Sequence, residues 1–210
     1  MRRWGATGAI VLAGVDGVSD GARRRVRLFH VRGATPMLIV SVGPPERLAG
    51  VLPHLGEVLP DPVVTLESIA EVKHDGELRE PFVAYHDADL WQTIQVYTRQ
   101  RREVHELTRR LWRAGAAGVT TVLGDWGFSS DERPHGDKFG RVASHRPSYT
   151  IYIDRPAKVA EVWPLIDELT AEHGIVTSLL VPGYRERTYG VTHGTLDVHR
   201  ALPRLPRLSG

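Results

Sequence analysis

The sequence contains no cysteine. This absence excludes a disulfide framework, thiolate metal sites and catalysis by a cysteine, and it fits a reducing compartment. Long apolar runs are also missing, and the start Met1-Arg2-Arg3-Trp4 leads into a glycine-broken stretch that makes a poor signal peptide. We therefore expect a cytoplasmic protein without a membrane span.

The sequence also has little net charge. The 210 residues carry 27 Lys and Arg against 25 Asp and Glu, so the formal net charge is only +2. Such a molecule has no strong overall field for capturing nucleic acid or an anionic membrane, and we expect neither as a partner. Its length allows one large domain or two small ones, each with a core of its own.

A frame of glycines is written twice in the chain. Residues 5–18 read GATGAIVLAGVDGV and residues 115–128 read GAAGVTTVLGDWGF. The identical pairs are Gly5/Gly115, Ala6/Ala116, Gly8/Gly118, Gly14/Gly124 and Gly17/Gly127. With small changes of offset the match continues through residues 35–42 against 146–153, Pro53 against Pro164, and 63–65 against 175–177. Matched order over such a length predicts a duplicated domain.

The second copy shows a regular alternation of elements. The predicted elements are a strand at 90–98, a helix at 101–114, a strand at 119–123, a polar loop at 124–146, a strand at 149–153, a helix at 156–172 and a strand at 175–181. The order β-α-β-β-α-β predicts an α+β, ferredoxin-like sandwich, in which two helices cover one face of a four-stranded sheet. Trp91, Trp112 and Trp163 fall at apolar periodic positions and are predicted to lie in the core.

The first copy is incomplete at its beginning. We predict an incomplete repeat at 1–75, a linker at 76–89, a complete repeat at 90–184 and a tail at 185–210. The first copy lacks the strand that occupies the centre of this kind of sheet, and the helix that follows it. Either the true start lies upstream, or residues 80–86 or 188–199, which have strand-like composition, fill the gap.

Several of these segments resemble the domain-of-unknown-function 190 proteins, which are PII-like. The resemblance rests on Ala114-Gly115-Ala116-Ala117-Gly118-Val119, on Val122-Leu123-Gly124-Asp125-Trp126-Gly127-Phe128, on residues 147–153, and on Val162-Trp163-Pro164-Leu165-Ile166-Asp167-Glu168-Leu169. It covers residues 90–184 and, less completely, 4–73.

The resemblance implies a PII-like assembly, usually a trimer, with ligand clefts between neighbouring subunits. It also implies a long loop after the second strand, here residues 129–146, that contacts a partner protein. In PII relatives the clefts take adenine nucleotides or other small effectors. The tandem arrangement and the missing first strand and helix distinguish this chain from a plain member of that family.

Candidate ligand-binding residues lie in the glycine frames and the loops after them. In the first copy they are Gly14, Gly17, Arg23, Arg24 and Arg25, and in the second copy Gly124, Asp125, Gly127, Arg133, His135 and Lys138. Guanidinium groups near glycine turns suit phosphate or carboxylate. The alternatives are a solvated charged loop, and glycines required by positive φ or by tight packing.

The remaining polar residues give weaker signals. The histidines of His86-Asp87-Ala88-Asp89, His135-Gly136-Asp137 and the pair His193 and His199 lack a recognised metal-ligand spacing, so we predict no metal site. Ser129, Ser130, Asp131 and His135 share one loop, which is no scaffold for a catalytic triad, and we predict no catalytic residue. The leading hypothesis is a non-enzymatic PII-like regulator that binds a small anionic effector. The alternative is a metal-binding protein or an oligomeric scaffold.

Overall fold

The computed structural model describes residues 6–19, 22–25, 36–59, 62–80, 90–98, 101–129, 135–136, 146–182, 185–188 and 191–194. The helices are α1 (Pro45–Val58), α2 (Arg101–Arg113) and α3 (Pro156–Leu169). The strands are β1 (Gly8–Ala13), β2 (Asp16–Ser19), β3 (Ala22–Arg25), β4 (Met37–Val42), β5 (Ala70–His74), β6 (Glu77–Leu78), β7 (Leu90–Thr98), β8 (Gly118–Leu123), β9 (Trp126–Ser129), β10 (His135–Gly136), β11 (Ser148–Asp154), β12 (Ile175–Pro182), β13 (Arg185–Thr188) and β14 (Val191–Gly194). No helix within these ranges is long and apolar enough to cross a membrane.

Residues 90–182, called here the second unit, fold as a ferredoxin-like sandwich. Their strands lie in the order β12-β7-β11-β8, and every neighbouring pair is antiparallel. The first strand, β7, is therefore central, and α2 and α3 connect the strands in the β-α-β-β-α-β order. This arrangement confirms the α+β, ferredoxin-like fold expected from the sequence.

One face of this sheet packs against α2 and α3. The helices contribute Leu107 and Leu111 from α2 and Ile166 from α3, all almost fully buried, to a core that also includes Tyr152. Spacing of four residues places Leu107 and Leu111 on one helix face, which explains why α2 lies flat on the sheet. α2 ends at Arg113, and Gly115 two residues later has a positive φ of 80°, which suits the glycine cap expected there.

Residues 6–59, called here the first unit, contribute β1, β4 and α1. β1 and β4 pair antiparallel, and α1 follows β4 as α3 follows β11. Both α1 and α3 begin with proline at the first turn and carry a proline inside, Pro53 and Pro164.

The two units pack sheet against sheet. Ile10 and Val42 of the first unit join Tyr97, Tyr149 and Ile175 of the second in one buried cluster. These side chains lie on the sheet face opposite α2 and α3, because successive strand residues point to opposite faces. The described chain is thus layered as helices, sheet, sheet and helix.

Three buried tyrosines predict a loss of stability at alkaline pH. Burial raises the pKa of Tyr97, Tyr149 and Tyr152 above the ordinary value of about 10. Above that pH the unfolded chain releases protons that the native state keeps, so the free energy of unfolding falls by about 1.4 kcal/mol per pH unit for each such tyrosine. Below pH 10 the raised pKa values of these tyrosines make their full contribution to stability.

Urea unfolding between pH 8 and 11, with tyrosinate absorbance followed in parallel, checks the expectation. Tyr97→Phe keeps the ring that stacks on Tyr149 at 4.8 Å and should lessen the pH slope by about one tyrosine's share. Ionisation of all tyrosines near pH 10 in the folded protein would contradict it.

Residues 63–65 match residues 175–177 in sequence but differ from them in structure. Residues 62–69 form no strand, and Val63 is 96% exposed. Its counterpart, Ile175 in β12, pairs with β7, but within the described ranges the first unit has no strand equivalent to β7. A strand forms instead at β5, which pairs with the outer edge of β12. Lys73 of β5 is 2% exposed and donates to the Asp167 carbonyl oxygen at the end of α3 at 2.7 Å.

Two further expectations need correction. The polar loop predicted at 124–146 contains β9 and β10, because β9 finds a partner strand in the first unit. Trp112 is 71% exposed rather than buried, since it follows Leu111 on α2 and points away from the face that packs on the sheet. Trp163 does pack partly against the core, and Trp91 lies partly buried beneath the Arg155 guanidinium at 4.4 Å.

The segments suggested as substitutes for the missing strand lie mostly outside the described residues. Of residues 80–86 only Glu80 is described, and of residues 188–199 only 188 and 191–194. The latter belong to a hairpin in which β13 pairs with β14. Neither strand of this hairpin is paired with β4.

Candidate functional site

The two units are joined by a strand that crosses between them. β9 belongs to the second unit in sequence, yet it pairs antiparallel with β1 of the first unit and extends that sheet to the order β10-β9-β1-β4. The paired residues are Gly8 with Ser129, Ala9 with Phe128, Ile10 with Gly127 and Val11 with Trp126. We call this contact the junction.

Glycine is required at the junction because the chains approach closely. A Cβ on Gly127 would lie 2.7 Å from the Ala9 carbonyl oxygen, and one on Gly124 would lie 2.6 Å from the Ile10 side chain. Both glycines are buried, and neither has a positive φ. Glycine occurs at these two positions because a side chain would not fit there, and not because the backbone conformation is unusual.

The same packing recurs in the first unit. The Gly124 N–H donates to the Pro147 carbonyl at 2.7 Å, and the Gly14 N–H donates to the Pro36 carbonyl at 3.0 Å. A Cβ on Gly17 would lie 2.9 Å from the Pro36 ring, as one on Gly127 would approach Pro147 at 3.2 Å. In the first unit these glycines allow the turn after β1 to pack against Pro36, which precedes β4. In the second unit they allow the turn after β8 to pack against Pro147, which precedes β11.

A small cleft lies beside the junction. It is lined by Gly8, Ala9, Ile10, Tyr97, Thr98, Phe128, Ser129, Pro147 and Ser148, and its volume is about 20 Å³. That volume holds about one water molecule. Its polar groups are hydroxyls, with Thr98 and Ser148 joined Oγ1 to Oγ at 2.8 Å. Because Gly8, Ala9 and Ile10 belong to the first unit and the other lining residues to the second, the cleft belongs to both units.

A partly buried ion pair stands at one end of the junction. Arg146 donates from Nε to the Gly124 carbonyl at 3.1 Å and from its terminal nitrogen to the Asp125 carboxylate. The Asp125 N–H donates in turn to the Val11 carbonyl at 2.8 Å. A planar guanidinium held in this way can receive a phosphate or carboxylate oxygen. The turn at Gly124 and Asp125 is thus bonded both to the Arg146 guanidinium and to β1.

The structure brings together only part of the predicted ligand-binding set. Gly124, Asp125 and Gly127 lie at the junction, where the backbone of His135 pairs with Gly127. Gly14 and Gly17 lie in the first unit. Gly14 precedes the β2–β3 hairpin, and Gly17 lies in its first strand, opposite the strand that contains Arg23, Arg24 and Arg25. Of those arginines the structure describes the backbone only, and Arg133 and Lys138 lie outside the described residues. The role of these residues in binding stays a prediction.

Arg146 and Ser129 were not among the sequence candidates. Ser129 lines the cleft, and Arg146 ties the Asp125 turn in place. A comparison of the two copies offered a signal for Arg146, since Thr35 is its counterpart and Val15 is the counterpart of Asp125. Neither member of the ion pair therefore has a residue of the same type at the aligned position of the first unit.

A larger, apolar cavity lies in the first unit. It has a volume of about 260 Å³ between β4, α1 and residues 62–66. Leu38 and Met37 on this side are each 58% exposed. In the second unit the corresponding region beside β11 and α3 is occupied by β7 and α2. The cavity therefore lies, in the described part of the first unit, at the position that β7 and α2 occupy in the second unit.

Metal-ligating side chains do not gather in the part of the chain that the structure describes. No group of three or more His, Asp or Glu residues there could hold an ion. The clusters around His86, His135 and His193 have side chains outside this description.

Comparison with known proteins gives one match. A family model described as "Uncharacterized ACR" matches residues 1–71 and 91–182, which together make up more than half of the chain. The two matched segments correspond to the two units and leave the region between them unmatched. No curated protein and no solved structure matches the chain.

Proposed function

Because the chain belongs to this uncharacterised family, the domain-of-unknown-function 190 proteins, we propose that it is a PII-like regulatory protein of the cytoplasm. In this proposal a small anionic effector, such as an adenine nucleotide, binds beside the junction, and residues 129–146 contact a partner protein. The protein binds its effector without converting it.

The junction is the observation that carries the proposal. Clefts between neighbouring subunits are the ligand sites that the PII resemblance implies. Here β9 pairs with β1 within one chain, and the cleft beside this pair is lined by residues of both units. Ser129, where the loop proposed to contact the partner begins, is one of the lining residues. A ligand at this point would touch both units and the start of the loop.

In this proposal the anionic group of the ligand binds Arg146, which lies at the Gly124 end of the junction and is not among the residues that line the cleft. Its present partner is the Asp125 carboxylate, and an incoming phosphate would compete with that carboxylate for the guanidinium fork. Release of Asp125 would loosen the turn whose N–H binds Val11. In this way the proposed binding event changes the contact between the units. The narrow cleft implies that its walls move apart to admit more than a phosphate-sized group.

Thermal unfolding in the presence of ATP, ADP, AMP, phosphate and citrate tests the proposal. A ligand at about one hundred times its dissociation constant stabilises the native state by about 2.7 kcal/mol, which raises Tm by roughly 5–10 °C in a protein of this size. We expect Arg146→Gln to lose most of that shift relative to its own ligand-free Tm. Chromatography should recover the ligand unchanged.

Arg109→Gln is the matched control. Arg109 lies on the exposed side of α2, paired with Glu106, and should leave the ligand-induced shift intact. A panel without any stabilising anion would contradict the proposal. Equal loss of the Tm shift in both variants would contradict the proposed location of the ligand at the junction.

A further inference from the structure

The apolar cavity of the first unit is bounded by three segments whose counterparts enclose a strand in the second unit. β4 and α1 correspond to β11 and α3, and residues 63–65 correspond to residues 175–177 of β12. In the second unit β7 lies between β11 and β12 and pairs antiparallel with both. The cavity therefore lies where one added strand would pair with β4 and continue the first sheet.

The first unit keeps the apolar surface that such a strand would cover. Three almost fully buried side chains of α3 belong to the core that contains Ile94 and Val96 of β7: Val159, Val162 and Ile166. Their counterparts in α1 are also apolar and line the cavity: Leu48, Val51 and Leu55. The outer edge of β4 has no partner among the described strands. An apolar surface and a strand edge thus meet at the position that β7 occupies in the second unit.

The sequence suggests two segments of this chain for the gap, residues 80–86 and residues 188–199. The first is held to the second unit at both ends, because the Arg79 N–H donates to the Val72 carbonyl of β5 at 2.9 Å and β7 begins at residue 90. Of the second, residues 188 and 191–194 belong to the β13–β14 hairpin. That leaves the residues after this hairpin, which lie outside the described part of the chain.

Residues 195–202 read TLDVHRAL and have the pattern of a strand with one apolar face. Leu196 and Val198 alternate with polar residues, as is typical of a half-buried strand. Pro203 follows and cannot donate to a strand ladder, so it would end the pairing. The stretch before this proline is longer than the six residues of β4.

We propose that residues 195–202 of the same chain pair antiparallel with the outer edge of β4 and fill the apolar cavity. The register that places Val198 opposite Ile39 also places Leu196 opposite Ser41. Ile39 and Ser41 both line the cavity, and opposite residues of paired strands point to the same face, so both apolar side chains enter it. This surface is separate from the junction, and the pairing does not depend on the ligand proposed there.

The same register places the basic residues of the segment where the surface is open. Arg200 lies opposite Met37, and His199 lies opposite Leu38. Met37 and Leu38 are each 58% exposed, so both polar side chains can reach water. The apolar side chains of the segment are therefore the ones that the pairing buries.

Hydrogen exchange of the full chain tests the pairing. Val198→Asp places a charge in the cavity and should raise the exchange rate of the amides on the outer edge of Met37–Val42 by roughly tenfold or more. Leu205→Asp, beyond Pro203, is the matched control and should leave those rates unchanged. Equal rates in the native chain and in Val198→Asp would overturn the proposal. So would equal increases in both variants.

Disulfide formation tests the register and the source of the strand. Because the sequence has no cysteine, His199→Cys combined with Leu38→Cys gives a chain with two thiols. Opposite residues of antiparallel strands have the Cα separation that a disulfide needs, so mild oxidation should close the bond within one chain. His199→Cys combined with Val58→Cys is the control and should stay reduced, since Val58 is 74% exposed at the end of α1.

Two results of this oxidation would overturn the proposal. Bonds that only join two chains would show that a second copy supplies the strand. Equal yields from the two thiol pairs would show that residues 195–202 do not lie beside β4, as expected if another protein's strand or an apolar small molecule fills the cavity.

Discussion

Replacing Asp154 with alanine is expected to lower the free energy of unfolding by roughly 3 kcal/mol, because it removes the charged acceptor of three hydrogen bonds, one of them fully buried. Asp154 is 5% exposed at the end of β11. Its carboxylate accepts from the Ala117 N–H at 2.9 Å, the Tyr152 hydroxyl at 3.1 Å and the Arg155 N–H at 2.8 Å. These bonds hold the start of β8 and the start of α3 to one point.

Two further variants, measured by urea unfolding, provide a scale for the stability loss of Asp154→Ala. Tyr152→Phe removes one of the three donors and should cost about 1 kcal/mol. Glu161→Ala removes an exposed carboxylate that pairs with Lys158, and it should change stability by less than about 0.5 kcal/mol. A loss below about 1 kcal/mol for Asp154→Ala would contradict the anchoring role of this carboxylate.

Gly127→Ala is expected to destabilise the protein by about 2–3 kcal/mol by forcing β9 away from β1. The added methyl group would lie 2.7 Å from the Ala9 carbonyl oxygen and 3.3 Å from the Ile10 Cα. Both neighbours are backbone atoms of a paired strand, so no side chain can rotate to make room. Either the strand pair separates or the turn at Gly124 shifts.

Gly50→Ala provides a matched glycine replacement in the same protein. Gly50 is exposed in α1, and a Cβ there would meet nothing within 4 Å. Alanine in a helix interior is favoured over glycine, so we expect a gain of about 0.5–1 kcal/mol. Urea unfolding that gives both variants the same sign and size would contradict the close-approach explanation for Gly127.

The strands of the second unit could be predicted because their signals are local. β7 is a run of β-branched and aromatic residues, and the predicted bounds of 90–98 agree with Leu90–Thr98. The first helix of that unit was equally clear from its apolar spacing. The order of these elements then determined the ferredoxin-like topology, since few arrangements satisfy it.

The missed elements depend on partners far away in sequence. Trp126–Ser129 is a strand because β1 lies beside it, and nothing within those four residues indicates that partner. Residues 63–65 match a strand of the second unit in sequence, but a strand without a neighbour cannot satisfy its backbone groups. β5 forms instead because β12 offers a free edge.

The candidate site was predicted in part for the same reason. Tight packing was one of the two explanations given for the glycine frame, and the contacts of Gly124 and Gly127 support it. The cleft was not predictable in detail, because Ser129 lies beside the paired residues Thr98 and Ser148 only when β9 joins the other unit. Arg146 lies outside the glycine frame and carries no local motif.

Hydrogen exchange measured with and without the most stabilising anion tests the proposed function most directly. If the anion binds beside the junction, amides in residues 8–13 and 124–129 should exchange more slowly in its presence, while amides of α1 change little. Slower exchange confined to α1 and residues 62–66, around the apolar cavity, would contradict the account. So would exchange that no anion in the panel alters.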